Sequence, residues 1–377
     1  MKEVNVTLKF ITPTFVGAAE NKRVSEFRIP SLKGLLRFWW RVYQDFPRET
    51  ELYKAESQIF GDTEHKASFS ISLDQSLQNL IFTKPGYPFN IKQDGIKYLF
   101  FSMYRKTGRT AWLPANTTVD LQFRFFDEQN VKEVITALWW LENFGGIGAR
   151  SRRGAGSFQI TKIEPIEGIQ GIPQFMCQKW SPKTGNLKEN ILGFLETGIN
   201  SSYHPRSSQI PSYTAFRENI SNYKVLARYT SWEDAANNIG TKLVGFPKPN
   251  RPPRSARFED ESKAIHSFSS SGSYPSQGPN PLARPAFGLP IQYYFRDHTK
   301  VEASGSVHSR RASPLFVKIG CMPNGDQYYV IVLSLWSEFL PDNEELKIEI
   351  SEGSHNGKTQ NLNQPDKTVI DNFLSSL

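Results

Sequence analysis

The order of strand and helix patterns in the first 165 residues constrains the fold of this chain most strongly. Polar and apolar residues alternate from Val4 to Phe10, which is typical of a strand with one buried face. A helix is predicted next, with Ser31 as its N-cap, because a serine hydroxyl accepts a hydrogen bond from a free helical N–H group. The apolar stripe of this helix repeats at spacings of three and four and consists of Leu32, Leu35, Trp39, Val42 and Phe46.

Three more strands and a second helix complete the pattern. The strands are predicted at residues 69–73, 119–125 and 158–163. The helix is predicted at residues 131–144 and ends at Gly145. The resulting order, βαββαβ, is the ferredoxin-like arrangement that RNA-recognition folds share. Residues 84–114 interrupt this order, and we expect an inserted hairpin or loop there, with a strand over residues 98–104.

The second half of the chain has a weaker pattern. Ser231 and Asp234 form a capping box that predicts a helix directly after them. Strands are predicted at residues 286–295, 314–320 and 328–336, and a terminal helix from about Asp366. We therefore expect an α+β protein with a ferredoxin-like first domain at residues 1–165 and a heavily decorated second domain at residues 166–377.

Residues 246–285 differ from the rest of the chain in composition. They contain eight prolines and eight serines, with more basic than acidic side chains. Such a composition is typical of a segment that does not contribute to a core. We expect a long, flexible insert here.

The chain carries an excess of positive charge. Lysine and arginine outnumber aspartate and glutamate by 45 to 37, which gives a formal net charge of +8. Aromatic residues are abundant as well, with 27 Phe, 14 Tyr and 8 Trp, so some of them are available as stacking surface in addition to the core. This balance favours a polyanionic partner, with RNA, DNA and an anionic membrane all allowed.

Several other classes of protein are not indicated. Cys177 and Cys321 cannot form a disulfide framework or a zinc site, and the six histidines show no metal-binding spacing. The opening residues do not have the pattern of a signal peptide, and the longest apolar run, from Tyr328 to Trp336, is too short to span a bilayer. We expect a cytoplasmic protein with no metal site, no cofactor and no membrane partner.

The most specific local motif is GGIGARSRRGAGSF, residues 145–158, which we call the G-loop. Its glycines follow the spacing G-x-G-x5-G-x-G at Gly146, Gly148, Gly154 and Gly156. Glycine allows close approach of backbone to a ligand, and the loop encloses three cations, Arg150, Arg152 and Arg153. The loop therefore predicts a phosphate-binding surface made of N–H groups and guanidinium groups. The alternative is a tight connection between helix and strand with solvated arginines.

A second basic group lies on the first helix. Lys33, Arg37 and Arg41 are spaced by four and form one stripe, with Trp40 beside them. Cations interleaved with an aromatic ring suit a nucleic-acid backbone with exposed bases. The alternative is a solvated helix face whose long side chains cover apolar surface.

A third basic group is Arg310 and Arg311, at the start of a predicted strand, where adjacent side chains point to opposite faces. The alternative to RNA contact is an ordinary strand start with solvated arginines. Signals for catalysis are weaker, since no nucleophile motif, carboxylate pair or metal motif is present. His204 and His266 are candidate general bases for RNA cleavage, although most histidines in such segments are surface residues.

These motifs resemble a known family. The glycine pattern is similar to the G-loop of RAMP proteins, a CRISPR-associated superfamily built on ferredoxin-like domains. More narrowly, four blocks together resemble the first subunits of the Cmr, or type III-B, effector complex. They are TPTFVGAA (12–19), IPSLKGLLRFWWR (29–41), the G-loop, and the pair RPAFGLPIQYYF and SRRASPLFVKI (284–295 and 309–319).

The resemblance implies two ferredoxin-like domains, the second with long insertions, in a subunit at the end of the assembly that holds the 3′ part of the CRISPR RNA. In that family a repeated backbone subunit cleaves target RNA, whereas this subunit helps to capture it. The resemblance implies CRISPR RNA, target RNA and other RAMP subunits as partners. It assigns RNA contact to Arg150, Arg152, Arg153, Lys33, Arg37 and Arg41, and with them to Arg310 and Arg311.

The predicted function is therefore a non-catalytic RNA-binding subunit of a type III-B effector complex in antiviral defence. Two alternatives stay open. One is a metal-independent RAMP-type endoribonuclease that processes CRISPR RNA, with a histidine or tyrosine as its base. The other is a scaffold whose basic loops contact only acidic protein surfaces.

Overall fold

A computed structural model describes residues 1–17, 25–73, 88–90, 92–103, 112–178, 185–203, 209–247, 256–323 and 325–377. The first part of the chain forms β1 (Lys2–Phe10), α1 (Ile29–Tyr43), α2 (Glu49–Phe60), β2 (Phe69–Leu73), α3 (Asp94–Leu99), β3 (Thr118–Phe125), α4 (Val131–Phe144) and β4 (Phe158–Glu164). The four strands make one antiparallel sheet in the order β2-β3-β1-β4. The four strands and both helices of the predicted βαββαβ pattern are present, in that order.

Helix α1 packs on α4 over one face of this sheet. Its predicted start is wrong by three residues. The N-cap is Arg28, and Ser31 lies inside the helix on its exposed side, because Pro30 occupies one of the first two helical positions. The buried face consists of Leu32, Leu36, Trp39, Trp40, Val42 and Tyr43.

The predicted strand over residues 98–104 is also wrong where the structure describes this segment. Residues 94–99 form α3, and Phe101–Met103 form a 3-10 turn. The reason is a close helix crossing, since a Cβ at Gly95 would collide with the backbone of Asn237, and one at Gly240 with that of Gly95. These two glycines let α3 approach a helix of the second half, and tertiary packing overrides the strand propensity of the aromatic run.

The second half forms α5 (Leu187–Ser202), β5 (Asn222–Tyr229), α6 (Trp232–Gly245), α7 (Ala256–Ser271), β6 (Ile291–Tyr294), β7 (Lys300–Gly305), β8 (Leu315–Cys321), β9 (Tyr328–Ser334), β10 (Leu346–Glu352), β11 (Thr359–Leu362) and α8 (Thr368–Ser375). Two antiparallel sheets result, in the orders β5-β9-β8 and β11-β10-β7-β6. The predicted cap of α6 is confirmed, because the Ser231 hydroxyl accepts a hydrogen bond of 3.0 Å from the Asp234 N–H group. The chain is thus a mixed α+β protein with several antiparallel sheets.

The expectation of a flexible insert at residues 246–285 is wrong for its described part. Helix α7 places Phe258, Ile265 and Phe268 in a hydrophobic core. Between them, the buried Glu261 carboxylate accepts hydrogen bonds from the Ala283 N–H group and the Tyr293 hydroxyl. All eight prolines of the segment lie outside this helix and hide it in the average composition, whereas its apolar residues recur at the spacing of a helix face.

The two halves of the chain are joined along the G-loop. Arg153 pairs with Val317 in a parallel bridge, so the loop lies along the free edge of β8. Packing does not divide at residue 165, the predicted domain boundary. Helix α5 belongs to the same core as the first sheet, and Phe15 and α3 belong to the core of the second half.

Candidate nucleic-acid interface

The G-loop is held by its own backbone. Gly148 and Gly156 have φ values of +93° and +64°, which favour glycine, and a Cβ at Gly156 would collide with the Ile147 carbonyl group. The N–H groups of Ile147, Ala149, Arg153, Gly154, Ala155 and Gly156 donate hydrogen bonds to protein carbonyl groups. The glycines therefore serve the closure of the loop, and most of its N–H groups are engaged within the protein. The expectation of a cradle of exposed N–H groups is not supported.

Arg150 connects the G-loop to α3. Its guanidinium group donates hydrogen bonds of 2.7 Å to the Leu99 carbonyl oxygen and 3.2 Å to the Tyr98 carbonyl oxygen. These acceptors are free carbonyl groups at the end of a helix, which favour a cation. The Arg150 backbone has a φ of 63°, the left-handed conformation that turns its side chain toward α3.

Arg152 connects the G-loop to α1 and β8. It donates a hydrogen bond of 2.6 Å to the Ser313 carbonyl oxygen, and its guanidinium carbon lies 4.4 Å from the ring centre of Phe316 and 5.6 Å from that of Phe38. Phe38 belongs to α1, so Arg152 brings the G-loop next to the first helix.

Arg311 occupies a similar site on the other side of Ser313. Its guanidinium carbon lies 5.1 Å from the ring centre of Trp336 and 4.6 Å from that of Phe339, and it donates to the Ser337 carbonyl oxygen at 3.2 Å. The neighbouring Arg310 is exposed. The two adjacent side chains therefore differ in burial, and both precede β8.

Arg150, Arg152, Arg153 and Arg311 form what we call the arginine cluster. Burial lowers the pKa values of Arg150 and Arg152 to about 10, and the positive charge of Arg153 adds to the effect in both. Burial likewise lowers the pKa of Arg311 to about 10, with a contribution from Arg152. All three groups stay charged at neutral pH.

The charge of the cluster is uncompensated within the described part of the chain. None of its four guanidinium groups, nor that of Arg310, forms a salt bridge with a carboxylate described by the structure. The Nη1 atom of Arg153 is buried and has no hydrogen-bond partner among the described residues. Partly buried cations without counter-charges are unfavourable, so the cluster is a candidate site for an anion.

The cations of α1 are arranged differently. Arg37 and Arg41 both contact the buried carboxylate of Glu56 in α2, at 3.3 Å and 2.8 Å. Lys33 lies 5.5 Å from the ring centre of Phe69. Its pKa is lowered mainly by burial and also by the positive charge of Arg37. The sequence analysis did not predict α2, although Leu52, Glu56, Ile59 and Phe60 recur at helical spacing. The stripe is therefore partly neutralised by a carboxylate that the local pattern of α1 does not reveal.

Trp40 does not have the predicted environment. It is 2% exposed, packs against Phe46 and Phe60, and donates a hydrogen bond of 2.9 Å to the Glu133 carboxylate. The interpretation of Trp40 as a stacking surface for bases is wrong, because its ring is buried. The ring of α1 that faces the arginine cluster is Phe38, two residues earlier.

The structure also locates the histidines. His204 lies outside the described residues. His266 is exposed on α7, 3.5 Å from Asp297. His308, which the sequence analysis missed, is 67% exposed in its side chain and contacts the buried Glu344 carboxylate through Nδ1. Its signal in the sequence is only its position two residues before Arg310.

Comparison with known proteins relates the first part of the chain to a known family. Residues 7–159, from β1 to the start of β4, match the family model of the RAMP superfamily. This match covers 153 of the 377 residues of the chain. The predicted resemblance is thereby confirmed, and the match contains the G-loop and α1 but not Arg310 and Arg311.

Two curated proteins from Pyrococcus furiosus are similar to this chain. The CRISPR system Cmr subunit Cmr1-1 is 29% identical over 163 residues, 41% of this chain and 46% of the relative. Cmr subunit Cmr1-2 is 28% identical over 186 residues, 44% of this chain and 99% of the relative. The chain thus matches about half the length of the first relative.

Solved structures show the same fold. The crystal structure of Cmr1 from Pyrococcus furiosus in its apo form has a TM-score of 0.60 at 17% identity, with 100% of this chain and 97% of that chain covered. A chain in the cryo-EM structure of the type III-B Cmr-beta complex bound to cognate target RNA has a TM-score of 0.56 at 13% identity. The match covers 99% of this chain and 98% of that chain. The likeness extends over both halves of the chain.

Neither a metal-binding group nor a membrane-spanning helix is found in the described part of the chain. Among the described residues, no group of three or more His, Cys, Asp or Glu side chains is placed to hold a metal ion. In the same part of the chain, no helix has the length and apolar character needed to cross a membrane.

Proposed function

We propose that this protein is a non-catalytic RNA-binding subunit of a type III-B CRISPR effector complex, capturing target RNA near the 3′ end of the CRISPR RNA in antiviral defence. The proposal is carried by one observation, the arginine cluster whose charge no described carboxylate compensates. Its proposed partners are CRISPR RNA, target RNA and the other RAMP subunits. The RNA-bound state of a structural neighbour supports this proposal.

The cluster suits an RNA backbone better than a single small anion. Arg152 and Arg311 lie at the junction between the two halves of the chain, and each is oriented by a carbonyl oxygen and by aromatic rings. Guanidinium groups held in this way present their remaining N–H groups to successive phosphates. Sequence specificity would come from pairing between guide and target RNA, because phosphate contacts carry no sequence information.

The proposed architecture is two ferredoxin-like units joined at the G-loop. Strands β5, β8 and β9 with α6 and α8 follow the order βαββα, and the sheet order β5-β9-β8 matches three strands of the first sheet. Helix α7 and the sheet of β6, β7, β10 and β11 are insertions into this unit. The arginine cluster would then lie between two equivalent domains.

A second candidate function has a specific observation in its favour. The His308 ring is oriented by a buried carboxylate and exposes its other nitrogen, which is the arrangement of a general base. A metal-independent endoribonuclease would need such a residue near bound phosphate. The purely protein-binding scaffold is the third possibility.

Ultraviolet cross-linking distinguishes these functions. The tagged chain is purified with its assembly from its native cells, cross-linked, and digested, and RNA-bearing peptides are identified by mass spectrometry. We expect cross-links in the G-loop and in residues 309–316. An assembly that contains RNA cross-linked only to other subunits would leave the scaffold as the function.

A further inference from the structure

A groove lies beside the arginine cluster. It has a volume of about 940 Å³ and runs between α2, the second half of α1 and the segment around Tyr213. Its rings are Phe38, Tyr53 and Tyr213, and Leu52 adds an aliphatic wall. Pockets for small organic groups typically have volumes of about 300–1,000 Å³, so the groove has room for a flat ring and its neighbours.

Phe38 joins the groove to the cluster. It lines the groove and also lies 5.6 Å from the guanidinium carbon of Arg152. A strand whose phosphates contact Arg152 therefore passes the mouth of the groove. Tyr53 stands at this groove with 59% of its surface exposed, which is unusual for a large ring that serves only the core.

The charge of the groove selects what enters it. Its carboxylates are Glu49, Glu56, Asp62 and Glu64, against the cations Arg41 and Lys54. Glu56 is compensated by Arg37 and Arg41, whereas Glu49 and Glu64 are exposed. This charge repels phosphate and favours a neutral group that carries N–H donors.

We propose that the groove takes an unpaired base of the RNA strand whose backbone lies over the arginine cluster. The proposal rests on the proposed function, since it needs that strand. The base would stack on the exposed Tyr53 ring, while a carboxylate accepts hydrogen bonds from its edge. Cytosine is favoured over uracil, because its N4 amino group offers two N–H donors to a carboxylate, whereas the single N3–H donor of uracil lies between two carbonyl oxygens that repel the carboxylate.

The test uses the full chain and single-stranded oligocytidine and oligouridine. Tyr53→Ala should weaken oligocytidine binding about tenfold, the size of one lost stacking contact, with an unaltered salt dependence. It should also abolish the preference for oligocytidine over oligouridine. Tyr53→Phe keeps the ring and should bind like the unaltered protein. The matched control is Tyr294→Ala, which removes a tyrosine of 69% exposure from β6 in the other half of the chain.

The outcomes separate the groove from the cluster. If Arg311→Ala weakens RNA binding but Tyr53→Ala does not, the base site is wrong and the proposed function stands. If Tyr53→Ala leaves RNA binding intact but prevents recovery of the neighbouring subunits, the groove binds protein and the base site is again wrong. If neither variant affects RNA binding, the proposed function fails as well.

Discussion

Arg152 and Arg311 bring two positive charges together across the junction between the halves of the chain. Burial lowers the pKa of Arg311, and the charge of Arg152 lowers it further. Both donate to carbonyl groups, at Ser313 and Ser337, so both are oriented by the backbone around β8. A bound polyanion would relieve their repulsion, which links the packing of the two halves to the proposed RNA contact.

The G-loop glycines should be required for folding. Gly156→Ala places a Cβ against the Ile147 carbonyl group at a φ of +64°, and we expect it to reduce the free energy of unfolding by more than about 2 kcal/mol. The matched control is Gly193→Ala on the exposed side of α5, where nothing obstructs a Cβ. That change should stabilise the protein by up to about 1 kcal/mol. Urea denaturation measures both, and equal effects would contradict this role.

Helix α7 should contribute to the core. Phe268→Ala removes a buried ring that packs against Tyr274, and we expect a loss of about 3–5 kcal/mol in the free energy of unfolding. Lys263→Ala on the exposed face of the same helix should change it by less than about 0.5 kcal/mol. Denaturation of both variants by urea is the measurement. A Phe268→Ala protein as stable as the original would restore the interpretation of this segment as a flexible insert.

Glu142 should make stability depend on pH. Its carboxylate is 4% exposed, and burial raises its pKa to about 7, above the usual 4.5. Between these values the folded state retains a proton that the unfolded state has released, so stability falls as pH rises through this window. Glu142→Gln keeps an oxygen for the Ile160 N–H group but cannot titrate.

From about pH 5 to pH 7, the free energy of unfolding of the original protein should therefore fall by about 1–3 kcal/mol relative to that of Glu142→Gln. The neighbouring Lys318, whose pKa is lowered to about 7 by burial, titrates in the folded state at the upper end of this window, and its effect on stability lies above it. The control is Glu218→Gln, which removes an exposed carboxylate. Parallel stability curves for Glu142→Gln and the original protein would show that Glu142 is ionised in the fold.

The purified chain should not cleave RNA, with or without divalent metal. Cleavage needs a base and an acid around the scissile phosphate, and the described contacts of His308 provide only the Glu344 carboxylate that orients it. Gel analysis of labelled repeat RNA in EDTA and in Mg²⁺ is the measurement. Specific cleavage that disappears in His308→Ala or His266→Ala would establish the endoribonuclease instead.

Periodic segments of this protein could be predicted from its sequence. The alternation in β1 and the apolar stripe of α1 each arise because one side of the element is buried, which leaves a local record in the residue pattern. Helix α7 was missed because composition was averaged over the prolines outside it and because the helix itself contains five serines. The strand expected at residues 98–104 failed because Gly95 and Gly240 admit a helix crossing, a contact between distant segments.

The candidate site was likewise only partly predictable from the sequence. The glycine positions and the three G-loop arginines were visible as a motif, whereas their acceptors at Leu99 and Ser313 come from other parts of the chain. Glu56 compensates the cations of α1 from a helix that was not predicted. No local pattern indicates which cation in a group already has a counter-charge, and this decides where an anion binds.

The salt dependence of RNA binding tests the arginine cluster most directly. If about four phosphates are contacted, the logarithm of the affinity for single-stranded RNA should fall with the logarithm of the salt concentration at a slope of roughly −3. The double variant Arg310→Ala and Arg311→Ala should flatten this slope by about one unit or slightly more and weaken all sequences alike. Arg124→Ala, which removes an exposed arginine paired with Glu3 on the first sheet, is the control and should bind normally. A folded double variant with the affinity and slope of the original protein would contradict the account.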